Sequence, residues 1–223
     1  MKQKLLAFFA PIAFVACTHA QETKSPEPSG NFVSITDIDP TIVVEARYHG
    51  GHNFLGTPVR GYNAPKCLLT RPAAQALANV QAELRPMGLA LKVYDCYRPQ
   101  RAVDHFVEWA KDVNDLKMKT EFYPQVDKSN LFHDGYIAEK SGHTRGSTVD
   151  ITIDGLDFGT EFDLFDPRSN TADPRPNASQ RANRALLKAV MDKHGFKGIK
   201  TEWWHFTLRD EPFPKTYFDA PVE

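Results

Sequence analysis

From Thr148 to Ile153 the chain reads Thr-Val-Asp-Ile-Thr-Ile, with Val149, Ile151 and Ile153 on one parity and Thr148, Asp150 and Thr152 on the other. Side chains of a strand point alternately to its two faces, so this segment is expected to lay one aliphatic face on a core. The opposite face carries an acid. Asp150 is therefore placed to face a cleft, and a fold that buries this strand must build something around that carboxylate.

The rest of the chain supplies the layers. The β-branched stretch Thr41 to Ala46 reads as a strand, followed by a Gly-, Asn- and Pro-rich loop from His49 to Lys66. Ala73, Leu77, Val80 and Leu84 recur at helical spacing between Pro72 and Arg85, with Thr70 as cap and Gly88 as stop. Leu89, Leu91 and Val93 alternate with Ala90, Lys92 and Tyr94 as a half-buried strand, which Arg98-Pro99 breaks. A second helix aligns Val103, Phe106, Trp109, Ala110 and Val113. A third runs from about Ser179 to His194 and ends at Gly195. Glu202 to Leu208 reads as a last strand. Without regular βαβ repetition, these elements predict a single α+β domain, a central and mostly antiparallel sheet flanked by helices.

Three segments carry chemistry. In the first, His143 lies in a glycine-containing turn before the Asp150 strand and can fold back toward it. Imidazole and carboxylate are ordinary zinc ligands, but the pair serves equally as a hydrogen bond tying turn to strand. In the second, Glu202-Trp203-Trp204-His205 offers a third ligand, His205, and a base that does not ligate, Glu202. The alternative is an aromatic core strand with a surface Glu. A regular strand would also point positions 202 and 205 to opposite faces, so a bulge or bend near Trp203 is required. In the third, Arg98 is fixed by Pro99 and can stabilise a developing oxyanion, or can simply pair with Asp95.

The ordered set resembles the VanX-type D-alanyl-D-alanine dipeptidases, zinc D,D-peptidases that share a fold with the hedgehog signalling domain. The pattern Ser-x-His-x-x-Gly-x-x-x-Asp is met by Ser141, His143, Gly146 and Asp150. Glu-x-Trp-His is met by Glu202, Trp204 and His205, and Tyr-Arg-Pro by Tyr97, Arg98 and Pro99. Tyr48, Asn53-Phe54-x-Gly56, Asp163 with Phe165-Asp166, and Arg209 to Pro212 follow in family-like order, so the resemblance spans roughly Asp37 to Val222. It implies one zinc ion at His143, Asp150 and His205, and attack by a zinc-bound water with Glu202 as base and Arg98 at the oxyanion. It further implies Asp163 against the substrate ammonium, and Ser141 and Tyr48 against the dipeptide. Thr148 stands where the family often has Ala. The rival readings are a D,D- or L,D-carboxypeptidase acting on peptidoglycan stems, and a zinc-containing binding module without catalysis.

The N-terminus sets the compartment. Lys2 and Lys4 precede an apolar run from Leu5 to Ala16, a signal peptide over residues 1–16 that is too short to span a bilayer. Phe14-Val15-Ala16-Cys17 resembles a bacterial lipobox, which would make Cys17 the lipidated residue and the lipid the chain's link to the membrane. Cleavage after Thr18-His19-Ala20 is the alternative. Residues 17–33 read as a flexible polar tether and 34–223 as the catalytic domain. Either cleavage exports the protein to the periplasm or cell envelope, where Cys67 and Cys96 can bridge or remain two buried thiols. Without Lys2 and Lys4 the balance is 25 basic against 28 acidic residues. No basic block interleaves with aromatics, which argues against a nucleic-acid partner.

Overall fold

The computed structural model describes residues 31–223. The signal peptide, Cys17 and most of the tether lie outside them. The described chain opens with β1 (Phe32–Ser34) and the short helix α1 (Ile35–Ile38), then β2 (Val43–Val44), β3 (Leu68–Thr70) and α2 (Arg71–Leu84). β4 (Leu91–Asp95), α3 (Gln100–Lys111) and the one-turn α4 (Lys119–Phe122) follow. β5 (Thr148–Ile153), α5 (Ala178–Lys193), β6 (Phe196–Gly198) and β7 (His205–Leu208) complete the chain.

Five strands form one sheet in the order β2-β4-β5-β7-β6, parallel only between β2 and β4, while β1 and β3 pair separately. The mostly antiparallel α+β architecture expected from the pattern is the one observed. β5 takes the middle place because all six of its residues are buried. Helices α2 and α5 pack on each other, with Leu77, Val80 and Leu84 of the first and Leu187, Val190 and Met191 of the second buried. An aromatic cluster builds the floor beside the cleft. Phe54 has Phe106, Trp109 and Phe165 at ring-centroid distances of 4.9, 5.0 and 5.0 Å. Such pairs add rigidity as well as buried area.

The Phe32 ring, in β1, packs on Tyr97 and Phe218 at 4.6 and 5.1 Å. It also covers Gly146, whose φ of 80° and lack of a side chain make room for it; a Cβ there would meet Phe32 at 2.3 Å. Three expectations need correction. The last strand begins at His205, not Glu202, because the preceding residues spend their backbone groups elsewhere: Trp203 N–H donates to Ser169 O at 3.0 Å. Val113 lies beyond α3 and is exposed. Thr70 precedes α2 but does not cap it with its side chain; its hydroxyl instead bonds Ser147 at 2.7 Å, tying β3 to the turn before β5.

Candidate metal centre and substrate cleft

The sheet register lines up three residues. Asp95 of β4 lies opposite Asp150 of β5, and Asp150 lies opposite His205 of β7. Residues directly opposite share a face, so this row projects to one side of the sheet. His143 joins it from above. It sits in a single 3-10 turn, Gly142–Arg145, which Ser141 caps by accepting the His143 N–H at 3.2 Å.

The donor atoms converge. His143 Nε2 is 3.2 Å from Asp150 Oδ2 and 3.3 Å from His205 Nδ1, and His205 Nδ1 is 3.1 Å from Asp150 Oδ1. Donors on zinc bonds of about 2.0–2.2 Å in a tetrahedron stand about 3.3–3.5 Å apart, close to this spacing. Among the described residues this is the one His/Cys/Asp/Glu group of metal-holding spacing. A further observation supports a cation. Asp150 Oδ1 is buried and makes no hydrogen bond, although His205 stands beside it. A buried carboxylate oxygen left so is costly unless a positive charge meets it. Burial alone would raise the Asp150 carboxyl, but His143 and His205 hold it well below the usual carboxylate range.

Glu202 stands outside this triad. Because it belongs to the bend before β7, its carboxylate turns into the same cleft, with Oε2 3.4 Å from His205 Nδ1. The opposite-face difficulty of a regular strand therefore does not arise. The side chain keeps 32% of its surface open to the cleft. The surrounding protein pushes its pKa up, against the lowering pull of His205, while the charge of Asp150 adds to the rise.

Arg98 pairs with Asp95 and lines the cleft. Its Nε and Nη2 reach Asp95 Oδ2 at 2.9 and 2.8 Å, and Nη2 stands 3.5 Å from Asp150 Oδ2. The guanidinium lies over the Tyr48 and Phe106 rings at 5.1 and 5.0 Å. It is thus locked from behind and faces the cleft in front.

The Peptidase M15 family model, described as D-ala-D-ala dipeptidase, matches residues 29–223. The chain belongs to the D-Ala-D-Ala dipeptidase family. It is 38% identical over 200 residues to the D-alanyl-D-alanine dipeptidase of Streptomyces coelicolor, covering 87% of this chain and 99% of that one. To the enzyme of that name from Enterococcus faecium it is 36% identical over 198 residues, covering 86% and 98%. A solved structure, VanYB in complex with D-Alanine-D-Alanine, overlays with a TM-score of 0.42 at 15% identity, covering 66% of this chain and 75% of that one. That overlay is too loose to carry an argument.

The dipeptidase cleft has a volume of about 250 Å³ and gathers Tyr48, Arg98, Ser141, His143, Asp150, Asp163, Glu202 and His205. That lies below the roughly 300–1,000 Å³ of sites for drug-sized ligands, and suits something as small as a dipeptide. Asp163 is buried at its wall and accepts a 2.7 Å hydrogen bond from the Tyr48 hydroxyl. Burial, with the charge of Asp150 behind it, pushes the Asp163 carboxyl well above its ordinary range, while Tyr48 opposes the rise. Phe106, Ile137 and Phe165 supply apolar wall.

Two residues of this dipeptidase site escaped the sequence reading. Asp95 is more than a partner for Arg98: it also lies 3.4 Å from His143 Nδ1, and Tyr62 donates its hydroxyl to it at 2.6 Å. Only the strand register places Asp95 beside Asp150. Tyr62 comes from the loop of residues 49–66, whose path has no periodic signal. The other described histidines stay out of the cleft. His52 is exposed and meets Glu121 at 2.5 Å, and His194 meets Glu83 at 2.6 Å. Trp203 and Trp204 are buried behind the site, Trp203 stacked on Phe158 at 4.4 Å. Thr148 reaches Thr207 across the ladder at 2.8 Å. Cys67 and Cys96 are bonded to each other.

Proposed function

We propose that the protein is a zinc-dependent dipeptidase that hydrolyses D-alanyl-D-alanine in the cell envelope. One observation carries the reading. A carboxylate that is not a metal donor, Glu202, shares a small cleft with three converging metal donors and with a buried acid, Asp163. A site that only bound metal would have no use for Glu202, and a site for long peptides would not bury an acid at its wall.

Zinc held by His143, Asp150 and His205 would polarise the scissile carbonyl and make a water acidic enough to lose its proton near neutral pH. Glu202 takes that proton and returns it to the departing amine, a task suited to a carboxyl whose pKa is raised. Arg98 stays charged, because Asp95 and its neighbours more than offset the cost of its burial. Its guanidinium stabilises the negative charge that develops on the carbonyl oxygen. Asp163 receives the free ammonium of the substrate, and Tyr48 holds that carboxylate in place. A substrate with an acylated N-terminus would leave Asp163 buried with only the Tyr48 hydroxyl as partner, which disfavours stem peptides.

Chemistry and sequence both support an exported location. The apolar run Leu5 to Ala16 supports export, Cys17 supports lipid attachment, and the Cys67–Cys96 disulfide suits an oxidising environment.

The deciding experiment is a panel of D-Ala-D-Ala, N-acetyl-D-Ala-D-Ala, L-Ala-L-Ala and a stem pentapeptide, with and without chelator. Cleavage of the first alone, abolished by chelator and restored by zinc, is expected. Efficient release of D-Ala from the pentapeptide would replace the dipeptidase reading with a carboxypeptidase.

A further inference from the structure

His143 takes its orientation from outside the cleft. Its Nδ1 lies 2.7 Å from the backbone carbonyl of Cys96 and donates to it, which leaves Nε2 as the lone pair aimed at Asp150 and His205. A ligating imidazole takes its tautomer and ring angle from such a bond. The contact is reciprocal, since Arg98 N–H reaches the His143 carbonyl at 3.4 Å. The metal site therefore depends on where the Cys96 carbonyl stands.

The sheet holds that carbonyl weakly. The β4–β5 register shifts between Val93 and Asp95, and β4 ends at Asp95, one residue before Cys96. The attachments lie on the other side, toward β3. Tyr97 N–H donates to the Leu68 carbonyl at 2.9 Å, and Cys96 is bonded to Cys67, with 5.2 Å between their Cα atoms. Cys67 is itself anchored, its carbonyl accepting from Ile35 N–H at 3.0 Å. Both cysteines are buried.

We propose that the Cys67–Cys96 disulfide is a positioning element of the metal centre: it fixes the Cys96 carbonyl that sets the His143 ring, and so tightens metal binding beyond its effect on the stability of the fold. Residues 96–98 thereby present a clamped carbonyl to the metal donor and a clamped guanidinium to the substrate. The inference rests on the zinc reading above.

The test compares three full-length proteins: wild type, Cys67→Ala/Cys96→Ala, and Leu187→Ala. The last empties a fully buried site in α5 that does not line the cleft, and serves as a control for general destabilisation. Zinc dissociation constants are measured by competition with a chromophoric chelator, at a temperature where circular dichroism shows all three folded. Loss of an orienting contact to a metal ligand weakens binding about 10–100-fold, and that fall is expected for the cysteine variant, with the control staying near wild type. An equal change in the two variants, or none in the cysteine variant, overturns the proposal. If the cysteine variant does not fold, the same titration on wild type before and after phosphine reduction, with thiols counted, decides; equal affinities overturn it. Wild type that binds no stoichiometric zinc would instead overturn the metal reading itself.

Discussion

The Tyr48 hydroxyl donates a 2.7 Å hydrogen bond to Asp163, a residue 115 positions away in the chain. Asp163 is also the one non-glycine residue with positive φ among those described, at 61°. Strained backbone of this kind persists where surrounding contacts over-determine it. The bond favours the charged carboxylate, opposing burial and Asp150, which both push its pKa up. Removing the donor raises that pKa further and leaves less anion to meet an ammonium. Hydrogen bonds to charged groups contribute about 1.5–3 kcal/mol, so Tyr48→Phe should raise KM for D-Ala-D-Ala about 10-fold or more. Steady-state kinetics check it, and an unchanged KM would separate Asp163 from substrate binding.

Glu202→Gln removes the proton acceptor and leaves the three metal donors untouched. Turnover should fall by about 10²–10⁴, the usual contribution of a positioned general base. Zinc measured by mass spectrometry should remain at one ion per chain. A variant that lost its zinc would make Glu202 a ligand instead of a base.

Arg98→Lys tests geometry at constant charge. The guanidinium spans Asp95 with two nitrogens and still reaches within 3.5 Å of Asp150. A single ammonium cannot reproduce that fork. Loss of one oxyanion donor lowers kcat about 10²–10³-fold, and a drop of that order is expected with an unchanged circular dichroism spectrum. Wild-type kcat in this variant would confine Arg98 to a structural pairing with Asp95.

Gly146→Ala probes the packing of β1. The new methyl group would meet the Phe32 ring, and Ala would have to adopt a φ of 80°. The left-handed conformation alone costs an L-residue roughly 1–2 kcal/mol. The thermal midpoint should fall by several degrees, while Phe32→Ala in the same background should recover part of the loss. Unaltered melting would show that β1 does not pack there in solution.

What the sequence made legible was periodic. The alternation of β5, the apolar stripe of α2 and the position of α5 follow from side-chain spacing and appear near their expected places. Short pieces without a repeat were invisible, among them β1, β3 and β6, each of three residues. In the site, His143, Asp150, Glu202, His205 and Arg98 carry chemistry in their own side chains and could be picked out. Asp95 and Tyr62 could not, since their importance comes from the register of β4 against β5 and from a long loop. By sequence Glu202 reads as the first residue of the last strand; backbone pairing of Trp203 with Ser169 decides otherwise. The cysteines left two outcomes open, and only the proximity of β3 to the end of β4 chooses between them.

Because Asp150 and His205 are neighbours across a ladder, the spacing between them belongs to the sheet and is indifferent to what the chain does in between. Between them runs a long excursion that delivers Asp163 and Glu202 to the cleft. The scaffold thus separates two inheritances. The ladder keeps two of the three metal donors, while the excursion carries two of the residues proposed to choose and process the substrate. Grafting a different excursion between the same two rungs should change what is cut while leaving the ion where it is.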